Sequence, residues 1–115
     1  MHGYAAYAKV QSVTRSHRDT EYQVLAAVTG ALTRVRDGEG SLQDKIKAVL
    51  WNDKVWSTFM CDLSSPDNSL PKSLKGALLS LAIWVAKETQ LVIDNNANLD
   101  GLININKQIM EGLRS

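Results

Sequence analysis

Two histidines, one cysteine and 12 acidic residues are the side chains with which this chain could do proton, metal or nucleophile chemistry. Their spacing does not serve it. His2 lies at the chain start and His17 at an expected helix start, so no pair of ligands recurs at the spacing by which one helix face holds a metal. Cys61 has no neighbouring histidine to hold it as a thiolate, and it reads as a small, half-buried apolar group. No G-x-S-x-G elbow, glycine-rich phosphate loop or H-E-x-x-H occurs. The sequence therefore predicts a protein that is not an enzyme and uses neither metal nor cofactor.

A better signal is polar residues on apolar stripes, because burying an amide or a carboxylate is costly unless it finds a partner. At 100° per residue, Asp53 falls amid the Leu42–Met60 stripe and Asn106 amid the Leu99–Leu113 stripe. Glu21 falls beside Leu25 and Val28, and Glu88 beside Leu81 and Val92. These residues are expected to cap or cross-link helices inside a bundle, with Asn106 buried and bonded to backbone. The tryptophans divide in the same way. Trp56 shares the main stripe of its helix, whereas Trp51, Val55 and Phe59 form a second apolar strip. Ile105 lies off the main stripe of the last helix. Such strips either pack within the bundle or mark a partner surface, where aromatic side chains are enriched.

The elements that position these residues are helices. A chain of 115 residues fits one domain, here 1–115, with 44% hydrophobic residues and few prolines. The 13 basic and 12 acidic side chains alternate, giving a net charge of +1 and no basic stripe of the kind that neutralises phosphates, so direct messenger RNA binding is disfavoured. One cysteine cannot close an internal disulfide, and no leader-like apolar core stands at the start, so a cytoplasmic address is expected. The longest nearly apolar run, residues 76–86, is shorter than the ~20 residues a bilayer requires, and no membrane span is expected.

Residues 1–15 are either flexible or a short helix. Ser16 with Asp19 reads as a capping box opening a helix over 17–36, which Gly38 and Gly40 end; Ser41 with Asp44 repeats the signal for a helix over 42–63. Pro66 stops that helix, and Pro71 suits the first turn of a helix over 71–94 that is apolar around most of its circumference. Asn98 or Asp100 caps a last helix ending near Leu113. The expected fold is an all-α bundle of four to five helices packed around the central apolar helix, 71–94.

The order of these segments resembles a known family. Tyr7-Ala8-Lys9-Val10-Gln11, Arg18-Asp19-Thr20-Glu21-Tyr22 and Asn52-Asp53-Lys54-Val55-Trp56-Ser57-Thr58-Phe59 are similar to the bacterial flagellar biosynthesis regulator FlaF family. So are Leu63-Ser64-Ser65-Pro66-Asp67-Asn68-Ser69-Leu70-Pro71, the run through Leu78, Leu79, Leu81, Ile83, Trp84 and Val85, and Gly101-Leu102-Ile103-Asn104-Ile105-Asn106 with Ile109, Gly112 and Leu113. His17 and Trp51 depart from the family pattern, which has a proline and smaller residues there.

The resemblance implies a small cytoplasmic protein needed for flagellin production and filament assembly. It implies a flagellin-binding secretion chaperone or adaptor, or a post-transcriptional activator acting on flagellin messenger RNA or with the FlbT regulator. The terminal segments of flagellin form long amphipathic helices that must be kept from premature pairing, and a helical protein with spare apolar surface can hold one. Trp51, Val55, Phe59 and Ile105 are the expected contact residues. A homodimer that hides this surface is a further option.

Overall fold

The computed structural model describes the backbone over residues 2–114 and the side chains over 19–113. Four helices follow one another: α1 (His2–Arg36), α2 (Leu42–Ser64), α3 (Lys72–Asn95) and α4 (Asp100–Arg114), and no strand occurs among the described residues. The fold is the expected all-α bundle, with four helices.

Helix α1 is a single element of 35 residues, not a helix from 17 preceded by a separate segment. Ser16 and Asp19 lie inside it. Once the packed C-terminal half has nucleated a helix, each added residue costs only a fraction of a kcal/mol even for Ser or Thr, so a capping signal does not by itself start one. At ~1.5 Å per residue α1 spans most of the molecule's 58 Å long axis.

The remaining boundaries follow the turn chemistry. The N–H groups of Asp37, Gly38 and Glu39 bond back to the carbonyls of Thr33, Val35 and Arg34, and Gly38 takes the left-handed φ of 92° that closes α1. Ser41 caps α2: its hydroxyl accepts from Asp44 N–H at 3.2 Å while the Asp44 carboxylate accepts from Ser41 N–H at 2.8 Å, a complete capping box. Ser65 ends α2 in an extended conformation before Pro66, and Pro71 stands immediately before α3 as its cap residue. Asn96 leaves α3 left-handed at φ 54°, and the Asn98 side chain accepts from Asp100 N–H at the start of α4.

Short connections fold these helices back on one another in an up-and-down square. α2 packs against both α1 and α3, α4 packs along α1, and α3 meets α4 only sparsely; α1 and α3 do not meet among the described residues. The core is supplied by Leu25, Val28 and Leu32 of α1, Val49 and Trp56 of α2, Val85 of α3, and Leu102 and Ile103 of α4, with Leu99 just ahead of α4.

This arrangement corrects the expected centre. Helix α3 buries only Ala82, Val85, Thr89 and Val92, and Leu78 and Leu81 are half-buried. An apolar circumference states what a helix could bury, not how many neighbours it has, and α3 has one full neighbour and part of another. Among the described residues α3 alone is long and apolar enough to cross a membrane, with a window of mean hydropathy 1.4 of which 22% is buried. It carries Lys75, Lys87 and Glu88, and α2 beside it exposes Lys47, Lys54 and Asp62, so no continuous apolar belt faces outward.

Candidate functional site

Two adjacent rows run along α3, each alternating steps of three and four residues. The row Leu78, Ala82, Val85, Thr89 and Val92 faces the core. The next row, Leu74, Ala77, Leu81, Trp84, Glu88 and Leu91, meets α4 through Trp84 and Glu88, and its Leu74 and Leu91 are 45% and 47% exposed. Trp84 fixes the register between the two helices: a Cβ added at Gly101 would stand 3.0 Å from its ring and 3.7 Å from the Glu88 carboxylate. One turn beyond Gly101, Ile105 is half-buried against the core. Trp84 and Glu88 of α3 thus close over the bare backbone of Gly101.

The second strip of α2 proves divided. Val55 is 7% exposed and belongs to a cluster with Leu25 and Val28 of α1, so it is core and not partner surface. Phe59 is half-buried on the same cluster and meets Trp56 edge-on at 6.1 Å. Trp51 is 43% exposed at the mouth of a cleft between α1 and α2 lined also by Ala31, Val35 and Ala48. The reason is that α2 lies between two helices, so its two apolar strips turn toward α1 and α3 respectively.

The polar residues expected inside the bundle also divide. Asp53 is half-buried, and its neighbour Asn52 is the fully buried one. The stripe through Leu42, Ile46 and Met60 points toward α3, but the most buried line of α2 bisects its two neighbours, 100° away, at Asn52. Asn52 lies one turn from Ala48, Val49, Val55 and Trp56, a signal that was present in the sequence. Glu21 and Glu88 are half-buried. Asn106 is fully buried, but its partners are side chains and not backbone. Its Oδ1 accepts from Trp56 Nε1–H at 2.8 Å, and its Nδ2 donates to Asn52 Oδ1 at 2.8 Å and Thr29 Oγ1 at 3.1 Å. This ties α1, α2 and α4 at one point, and Asn52 Nδ2 is left buried without a partner.

The surface electrostatics are local. Bonds from the Ser41 backbone N–H and then its hydroxyl hold the Asp44 carboxyl below the ordinary aspartate range. Hydrogen bonding to Asp37, and more weakly to Asp100, raises the Arg36 guanidinium; the Asp100 contact, at 3.3 Å, links the C-terminus of α1 to the N-terminus of α4, where both helix dipoles favour it. Cys61 is free and exposed, and no group of three potential metal ligands gathers among the described residues. His2 and His17 lie outside the described side chains.

The four helices and their caps extend over nearly the whole chain, and the family described as flagellar protein FlaF matches residues 4–113. The chain belongs to that family. No curated protein and no solved structure matches it. FlaF membership makes this a flagellum-related protein of a family not known for enzymes, and it directs attention from catalysis to surface. Sequence reasoning missed the outer row of α3, because its residues were counted toward a central helix.

Proposed function

We propose that this FlaF-family chain acts in flagellar biosynthesis as a cytoplasmic chaperone or adaptor for flagellin, holding a terminal amphipathic helix of flagellin against its own exposed apolar helical surface until export. The observation that carries the reading is α3: it is apolar enough to serve as a core helix, yet 22% of its apolar window is buried. A helix with so much unspent apolar surface marks an interaction face. Helix-in-groove recognition uses such surfaces and needs neither a catalytic group nor a basic stripe. Trp51 and Ile105 remain contact candidates under this reading; Val55 and Phe59 serve the bundle's own core.

The test is co-expression of the tagged chain with flagellin, followed by washing from about 0.1 to 0.5 M salt. Apolar docking keeps flagellin bound through the range, whereas binding through messenger RNA weakens by orders of magnitude. Absence of flagellin at every salt concentration would refute the proposal, and its loss together with RNA at moderate salt would move the function to translation.

A further inference from the structure

The outer side of the α2–α3 pair shows large apolar side chains from both helices: Leu42, Ile46 and Leu50 of α2, and Ile83 and Ile93 of α3, with Leu42 67% exposed. Between them lies a cleft of about 300 Å³, floored by the buried Val49 and Val92, walled by Leu42, Ile46 and Ile93, and edged by Lys45 and Asp94. The helices run antiparallel, and the bond from Lys45 Nζ to Asn96 Oδ1 fixes their relative level. Both rise ~1.5 Å per residue, so Ile46 stands close to the level of Ile93, Lys45 to that of Asp94, and Asp53 to that of Lys87. At each charged level α2 and α3 thus carry opposite signs. None of the four is neutralised by a described residue: Lys45 donates to the neutral Asn96, Asp94 accepts from the neutral Gln90, and neither Asp53 nor Lys87 has an ion pair.

We infer that this face joins two copies of the chain about a two-fold axis running along the cleft, so that α2 of each copy lies on α3 of the other. Such an axis exchanges the two helices at equal level, and the antiparallel α2–α3 pairing within the chain is repeated across the interface. Ile46 then meets Ile93 of the other copy, Lys45 meets its Asp94, and Asp53 meets its Lys87, each twice by symmetry. A helix of another protein has no reason to carry these charges at this spacing, whereas a second copy brings them by construction. The matched stretches, 42–57 of α2 and 79–94 of α3, are about 24 Å long, and two helices are ~20 Å across. That footprint, roughly 500 Å² a side, is at the low end for a specific interface and gives a dimer that responds to concentration. Trp84 and Leu91, on the α4 side of α3, stay uncovered, so the inference neither blocks the function proposed above nor rests on it.

Sedimentation velocity on the intact protein from about 5 to 500 µM tests it. The parent should show a species of twice the chain mass whose share grows with concentration. Leu50→Glu, on an exposed side chain, should be monomeric while keeping the parent's circular dichroism. Two charge variants decide whether the face meets itself. Lys45→Glu with Lys87→Glu leaves only acids at the four positions, and Asp53→Lys with Asp94→Lys leaves only bases, so each should self-associate about a hundredfold more weakly than the parent. Mixed in equal amounts, the two should form a heterodimer, because every charged contact then joins opposite signs, and added salt should weaken it. A parent that stays monomeric throughout, a Leu50→Glu variant that dimerises as the parent does, or charge variants that fail to combine on mixing overturns the inference. A monomeric parent that loses flagellin on Leu50→Glu gives the face to flagellin and overturns it equally.

Discussion

Replacing Asn106 by leucine is expected to destabilise the fold far more than replacing Asn52 by leucine, although both amides are fully buried and bond each other. Asn106 serves three groups at once, and its loss leaves Trp56 Nε1–H and Asn52 Oδ1 buried with no partner, together with the Thr29 hydroxyl. A buried group stranded in this way costs ~1–3 kcal/mol, and leucine returns part of that through apolar burial. The net loss for Asn106→Leu should be ~2–4 kcal/mol. Asn52→Leu removes one bond but also removes the Nδ2 group that is already unpaired, so its net loss should be below ~1 kcal/mol. The double variant should cost less than the sum, because Asn106 no longer strands Asn52. Urea denaturation followed by far-ultraviolet circular dichroism gives the four values of the cycle, with constant slope as the check on two-state behaviour. A loss under ~1 kcal/mol for Asn106→Leu, or equal losses for the two single variants, would refute the reasoning.

Val55→Ala should cost ~1.5–3 kcal/mol by emptying part of the Leu25–Val28 cluster, while Trp51→Ala, at the cleft mouth, should change stability by less than ~1 kcal/mol; both are read in denaturant melts. Gly40→Ala should cost ~1–2 kcal/mol, since φ is +91° there and the new Cβ would stand 2.7 Å from an Asp44 carboxylate oxygen, breaking the α2 cap; a thermal melt checks it. Because its folded pKa is lowered, Asp44 stabilises the fold above the ordinary aspartate value of about 3.9 and loses that contribution as pH falls through the lowered value. The urea midpoints of the parent and Asp44→Ala should therefore converge between those two values and differ at neutral pH.

Much of this fold is legible in the residues because its signals are local. Ser41 with Asp44, Pro66 and the Asn96–Asn98 break each satisfy or deny particular backbone groups, and those boundaries stand where the sequence puts them. What periodicity does not contain is the number of neighbours a face will meet. That is why Asp53 is expected in place of Asn52, Val55 is left open between core and partner surface, and α3 is expected at the centre. Ser16 and Asp19 show the complementary limit: a cap signal is overridden when the helix on its C-terminal side is anchored by packing. The meeting of α3 with α4 was only half visible, since Glu88 and Trp84 each stood out but nothing in one dimension sets them beside Gly101.

The square of helices is not evenly cross-linked. Asn106, Asn52, Thr29 and Trp56 lock α1, α2 and α4 together, and α3 is attached along one flank. Such an architecture has two levels of opening: α3 can detach as a sub-global unit while the other three helices keep their shared polar clasp. Amide protons in the outer half of α3 then exchange with solvent through that cheaper opening, and those around Asn106 only through complete unfolding. The helix with the greatest unspent apolar surface is thus also the one whose hydrogen-exchange protection is free to rise when something settles against it, so occupancy can be followed in the backbone of α3 itself.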